Sequence, residues 1–384
     1  MRVLFTTWGW PSHLYPLVQL AWAMQAAGDE VRVASQPGLA PAITQAGLTA
    51  VPVGTDVDVA PVLRPFHEYL DRLGRPIEIS ELLAKFGADT VSLYVELAGD
   101  MLDDTLRYGE SFRPDVVVFE PTTFAGPLAA AALGVPAVRH IWGMDFTYLT
   151  HEYEPGALAP LASRLGLSTV DTLGLVTVDP CPQSLQAPHP VRRLPIRYAP
   201  YNGPAQLPGW LRKSPSRPRV CVTGGTIAGR FARTGTAFES LVVEALDRLD
   251  VEIVVVNPVT DDLPGHVRVV PRLAMHLLLP SCCLAVHSGG GGMAMTALVS
   301  GTPQLLVPRN PDHIFNAQRL TSAGAARMVY AAEATAAAIR DQAVTMLSAP
   351  PSTVDDLRSE MARQPQAAQV RDELLTIAGG AAHG

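Results

Sequence analysis

Apolar runs and helical stripes alternate along this chain with a regular beat. Arg2–Thr7 reads as a strand, Leu17–Ala27 as a helix closed by Gly28, Val31–Ser35 as a strand, and Ala40–Ala46 as a helix ending at Gly47. Leu48–Val53 makes a third strand, so the opening is a βαβαβ unit, which requires a parallel sheet with helices on both faces. Residues 54–110 are less regular: Pro61, Pro65, Gly74 and Pro76 break the first part, and Glu81–Leu106 is mostly helical. The rhythm returns with a strand at Asp115–Phe119, a helix at Ala125–Leu133 capped by Gly134, and a strand at Val135–Ile141.

Residues 200–218 hold five prolines and two glycines, the composition of a linker. Beyond them the alternation restarts with Arg219–Thr223, a glycine turn, Phe238–Leu249, Glu252–Val256, Val267–Val270 and His276–Leu279. Further on come a strand at Gln304–Val307 and helices at Phe315–Ala323, Ala334–Leu347 and Val354–Met361. The expected division is a first domain over 1–199, a linker over 200–218 and a second domain over 219–354. Residues 355–384 form a C-terminal helix and tail that packs back on the first domain, with the last six residues frayed. The fold class is α/β: two doubly wound sheets whose carboxyl ends face one cleft, where ligands of such sheets bind.

One stretch carries the chemistry. Cys283–Val286 is apolar and strand-like, four glycines (Gly289 to Gly292) follow His287-Ser288, and Met293–Leu298 has helical composition. A strand feeding a helix through glycines leaves the helix's first amides unpaired at the positive end of its dipole, which suits a phosphate or diphosphate. His287 sits at the mouth of that turn, where an imidazole can donate to a phosphate oxygen. The pattern is neither Gly-x-Gly-x-x-Gly nor a Walker loop, which disfavours dinucleotide oxidoreductases and nucleotide hydrolases.

Composition narrows the field further. At 384 residues two domains are expected, and 48% hydrophobic with 17% charged residues suits large buried sheets. No run of about 18 apolar residues suggests a membrane span, and the first residues enter a strand without a leader, so a cytoplasmic location is expected. A formal net charge of −7 gives no footprint for nucleic acid. Cys181, Cys221, Cys282 and Cys283 lie in apolar stretches without metal-site spacing and read as buried free thiols. The ten histidines are scattered, with no His-x-x-x-His to hold a metal, so no metal is expected.

In order along the chain stand Gly9-x-x-x-His13-x-x-Pro16, the Thr223-Gly224-Gly225-Thr226 turn, His287 with its glycines, and Asp312 through Asn316. That order resembles the family 1 nucleotide-sugar glycosyltransferases, which have the GT-B fold, and the likeness covers nearly the whole chain. Stretches such as Glu120-Pro121-Thr122-Thr123-Phe124, Trp142-Gly143-Met144-Asp145 and Pro200-Tyr201-Asn202-Gly203 are most similar to bacterial antibiotic deoxysugar transferases, with spinosyn rhamnosyltransferases among the plausible relatives.

The resemblance implies inverting transfer from a dTDP-deoxysugar to a macrolide-type polyketide hydroxyl, without metal or other cofactor. It assigns His13 as general base, which an imidazole near pKa 6.5 can serve. Glu120, at the end of the fourth apolar strand, is the candidate for the carboxylate that orients it. Gly225, Thr226, His287, Gly289, Gly290, Gly291, Gly292 and Met293 become diphosphate contacts, and Asp312 and His313 sugar contacts. A strict family pattern has a hydroxyl residue at Met293 and a glutamine at His313. Asp312 could equally cap the helix through Phe315. Backbone of Arg272 and Leu273 fills the base-binding window. Trp8, Trp10, Phe66, Trp142, Asp145 and Tyr148 are the acceptor-side candidates, in loops around the first-domain pocket. A homodimer follows by analogy only, and dependence on an auxiliary activator protein stays open. Two rival readings are a nucleotide-sugar epimerase of the same fold and a non-catalytic nucleotide-sugar binder or activator subunit.

Overall fold

The computed structural model describes residues 1–225 and 238–381. The first half builds a seven-stranded sheet from β1 (Arg2–Thr6), β2 (Glu30–Ser35), β3 (Ala50–Pro52), β4 (Val116–Phe119), β5 (Ala137–His140), β6 (Thr177–Asp179) and β7 (Arg193–Pro195). Their order is β3-β2-β1-β4-β5-β6-β7. The second half builds a six-stranded sheet from β8 (Arg219–Thr223), β9 (Glu252–Val256), β10 (Arg268–Val270), β11 (Leu284–His287), β12 (Gln304–Leu306) and β13 (Ala326–Met328), in the order β10-β9-β8-β11-β12-β13. Neighbouring strands run parallel throughout both sheets. Helices cover both faces, so the central strands are wholly buried and read as continuous apolar runs such as Val116-Val117-Val118-Phe119. Strand order reverses between β1 and β4 and again between β8 and β11, opening a crevice at the carboxyl end of each sheet.

Several helices depart from expectation where proline misled. The first, α1, spans Pro11–Ala26 and carries Pro16 inside it, so it starts six residues before Leu17. Then come α2 (Ala40–Gln45) and α3 (Ala60–Leu73), the latter in the stretch where Pro61 and Pro65 suggested a break. Pro11 and Pro61 stand in first turns, where the missing amide has no helical partner anyway, whereas Pro16 and Pro65 stand inside their helices. Helix α4 runs over Ile79–Phe112, longer than Glu81–Leu106, followed by α5 (Ala125–Leu133) and α6 (Glu154–Arg164). Strands β6, β7 and β13 have three residues each, too few to show a period.

The chain's end sets the domain boundary. The helix Thr353–Arg363 buries Val354, Leu357 and Met361 in the apolar cluster that holds Met295 and Leu298, so it belongs with the second sheet. The crossing comes at residues 364–366, where the Gln364 side chain donates to the Cys181 carbonyl and the Arg197 amide to the Pro365 carbonyl. The last helix, Ala367–Ala381, packs on the first domain, and the helix before it reaches that domain through Glu360, which accepts from the Ser184 amide at 3.1 Å. Val370 and Leu374 join the core of Leu14, Leu17 and Val18, and Arg371 grips Asp29 at 2.8 and 2.9 Å. Gly379 continues that helix. Between the domains one apolar cluster joins Met144, Phe146, Leu185 and Tyr198 to Ala294, Met295, Leu298 and Phe315. Among the described residues no helix is long and apolar enough to cross a membrane.

Candidate active site

The two crevices meet. From the end of β1 the chain turns through Trp8-Gly9-Trp10, with the Gly9 amide held by Gln36 Oε1 at 2.7 Å, and enters α1. His13 is therefore in the first turn of a helix, not on a loop. From the end of β4, the neighbouring strand, comes Glu120. Its carboxylate is buried, and it accepts from the Thr122 amide (3.1 Å), the Thr122 hydroxyl (2.8 Å) and the Thr123 hydroxyl. Glu120 Oε2 lies 3.1 Å from His13 Nδ1, and the Trp8 indole nitrogen lies 3.0 Å from the same atom. The Glu120 carboxyl is thus neither on the surface nor a helix cap.

Trp142, just after β5, bridges to the second domain. Its ring centroid is 4.5 Å from that of His13, and a Cβ at Gly291 would lie 3.0 Å from Trp142 Cδ1. Imidazole, indole and glycine-loop helix are thus in series. Beside them opens a cavity of about 500 Å³ walled by Trp8, Trp10, Phe66, Phe86, Tyr94 and Trp142, with Asn310 and Asp312 reaching in from the second domain. Burial, with Asp312 and Glu120 nearby, pushes the Tyr94 phenol up.

On the donor side β11 delivers the glycine turn. Gly289 has φ +98°, its amide donates to His287 Nδ1 (3.1 Å), and its carbonyl accepts from Asn316 Nδ2 (2.9 Å). The helix Gly291–Ser300 starts directly after, with its first bond from the Ala294 amide to the Gly290 carbonyl. The amides of Gly291, Gly292 and Met293 therefore have no partner within the helix. Ser288 Oγ donates to the Gly224 carbonyl at 3.0 Å, and Asn257 Nδ2 to the Gly225 carbonyl at 3.1 Å, fastening the loops after β8, β9 and β11 together. Gly225 itself turns at φ +84°. Thr226 lies outside the described residues.

Four expectations are corrected. His287 does not point at the crevice: it is fully buried, Nδ1 accepts from Gly289, and Nε2 then donates to Gln304 Oε1 at 2.9 Å. Burial pushes its pKa down to about 4, so it is a neutral ring that shapes the turn. His313 is likewise buried, its carbonyl against Gly289 and its ring against Gly290. Asp145 is wholly buried; burial works against its charge, but Arg139 (2.7 and 3.0 Å) and Arg193 (3.0 Å) prevail and hold it at about 2. It is a strut beneath the cleft, not an acceptor contact. Tyr148 stacks on His189 (4.3 Å between centroids) and His151 (5.5 Å), away from the cavity wall.

The remaining candidates fall between. Asp312 is in the first turn of the helix Pro311–Ser322, whose N-cap is Asn310, and lines the cavity. Arg272 is exposed and directs its guanidinium toward Tyr15 and Gly203, while Leu273 packs against the apolar cluster that holds Leu278 and Leu279. Among the described residues no group of His, Cys, Asp or Glu could hold a metal ion. The reading of the sequence missed Phe86 and Tyr94. Leu82, Phe86, Thr90 and Tyr94 recur every four residues along α4, a helical stripe that marks one face.

Comparison with known proteins agrees with this architecture. Residues 22–225 match the N-terminal domain model, and residues 240–377 the C-terminal domain model, of the erythromycin biosynthesis protein CIII-like family. A 10-deoxymethynolide desosaminyltransferase of Streptomyces venezuelae is 35% identical over 98% of this chain and 97% of its own. The glycosyltransferase VinC, solved with dTDP, superposes with a TM-score of 0.82 at 32% identity, covering 99% of this chain and 100% of its own. The spinosyn rhamnosyltransferase SpnG, solved with the spinosyn aglycone, superposes at 0.81 and 28% identity over 97% and 100%. The chain belongs to the erythromycin biosynthesis protein CIII-like family and is a glycosyltransferase of the GT-B fold.

Proposed function

We propose that this enzyme transfers a deoxysugar from a dTDP-sugar to a hydroxyl of an apolar polyketide aglycone, with inversion at the anomeric carbon. The observation that carries the reading is the series Glu120–His13–Trp142–Gly291, which puts a carboxylate-held imidazole one indole away from a helix N-terminus. With Nδ1–H donated to Glu120, Nε2 is the basic nitrogen. It takes the proton of the acceptor hydroxyl as that oxygen attacks the anomeric carbon, and the bond from that carbon to the diphosphate breaks. Charge growing on the leaving dTDP meets the amides of Gly291, Gly292 and Met293 and the positive end of their helix. This route needs no metal ion. The aromatic walls of the cavity suit a large apolar acceptor. Desosaminyl transfer by the Streptomyces relative, and the dTDP and aglycone bound by VinC and SpnG, support donor and acceptor of these classes.

The test is His13→Ala. Transfer should fall by about 10²–10⁴-fold while calorimetry shows dTDP binding retained. Undiminished turnover would take His13 out of the mechanism.

A further inference from the structure

Two groups compete for one atom of His13, with the Thr122 hydroxyl more distant at 3.5 Å. The Trp8 indole N–H can only donate, and the Glu120 carboxylate can only accept, yet each lies within hydrogen-bond distance of Nδ1, at 3.0 and 3.1 Å. Nδ1 satisfies the carboxylate when it carries the ring proton and the indole when it does not. We propose that Trp8 is a positioning residue that holds His13 in its unproductive tautomer, proton on Nε2, until an acceptor fills the cavity. This rests on the proposed role of His13 as general base.

A charge-assisted bond to a carboxylate is ordinarily the stronger of two such contacts. Here the carboxylate already accepts from the Thr122 amide, the Thr122 hydroxyl and the Thr123 hydroxyl, which disperse its charge. Sharing that charge weakens the pull of Glu120 on an Nδ1 proton and leaves more for the neutral bond from Trp8 to decide. Trp8 is well placed to respond, since its ring walls the cavity, tilted on Trp10 with centroids 5.1 Å apart. An acceptor pressed against that wall, offering an oxygen to the indole N–H, draws it off Nδ1. The ring proton then moves to Nδ1, pairs with Glu120, and frees Nε2 to take the acceptor's proton. With the cavity empty, Nε2 already carries a proton and cannot deprotonate water, so the donor is protected from hydrolysis.

The test reads the ring nitrogens of His13 by ¹⁵N NMR in the ligand-free chain, assigned by loss of its signals in His13→Ala. Wild type should show Nδ1 unprotonated, and Trp8→Phe, which keeps a ring but removes the donor, should show Nδ1 protonated. A wild-type spectrum with the proton on Nδ1 overturns the proposal by itself, whether or not the variant folds, and so does a folded Trp8→Phe with the wild-type tautomer. The spectrum does not depend on turnover. Transfer that survives in His13→Ala would therefore sink the general-base reading and leave the tautomer result standing.

Discussion

Gly289 shows how one residue type can be required by geometry and not by flexibility. Its φ is +98°, and an added Cβ would lie 3.0 Å from the His313 carbonyl oxygen. Gly292, three residues on, is inside the helix, and nothing lies within 4 Å of its would-be Cβ. Gly289→Ala should cost about 1–3 kcal/mol and weaken dTDP binding, whereas Gly292→Ala should leave the fold unchanged or slightly more stable. Thermal unfolding and calorimetric titration of the two variants check both statements. Equal losses would mean the loop needs mobility instead. At this scale the sequence named His13, Glu120 and the glycines correctly as neighbours of one cleft, because each follows a central strand. It could not orient His287 or Asp145. In β11 all four residues are buried, so no alternation told which way the imidazole pointed. The partners of Asp145 lie 6 and 48 residues away, beyond any local pattern.

The strands and central helices were legible because buried parallel strands are continuous apolar runs between glycine caps. What escaped were the proline-bearing start of α1, the helix α3, the three-residue strands β6, β7 and β13, and the route of the last helix. That helix, Ala367–Ala381, is fastened by Arg371 to Asp29, a buried carboxylate that also pairs with the Met1 ammonium at 2.7 Å. The Arg371 hydrogen bonds hold the Asp29 carboxyl below its usual range against the opposing effect of burial. A depressed carboxyl contributes stability above its unfolded pKa and loses it as pH falls through the folded value. Arg371→Ala should therefore destabilise the chain by about 1–3 kcal/mol near neutrality and flatten its loss of stability below about pH 4. Urea titrations at the two acidities decide it. A variant as stable as wild type at neutral pH would show that the apolar contacts of Val370 and Leu374 suffice.

For the molecule as a whole, acidity costs stability through two buried rings, one in each sheet, while burial of Asp179, pushed up to about 6, works the other way in the same window. His140 in β5 and His287 in β11 are both pushed down to about 4 by burial. Between 6.5 and about 4 the unfolded chain binds protons that the folded chain refuses, so stability is full above that window and falls as pH drops through it. Each ring contributes a slope of up to about 1.4 kcal/mol per pH unit. His287→Gln should make the urea midpoint fall less between about pH 7 and about pH 5 than it does in the wild type. An equal fall in the variant would mean that the His287 ring protonates in place.

The return of Ala367–Ala381 to α1 has a practical consequence for recombining this enzyme with its relatives. Cutting at the proline-rich connector to exchange aglycone preference would strand a foreign tail on the retained lobe. A working hybrid takes three pieces: residues up to the connector and the terminal helix from one parent, and the sugar-nucleotide half between them from the other.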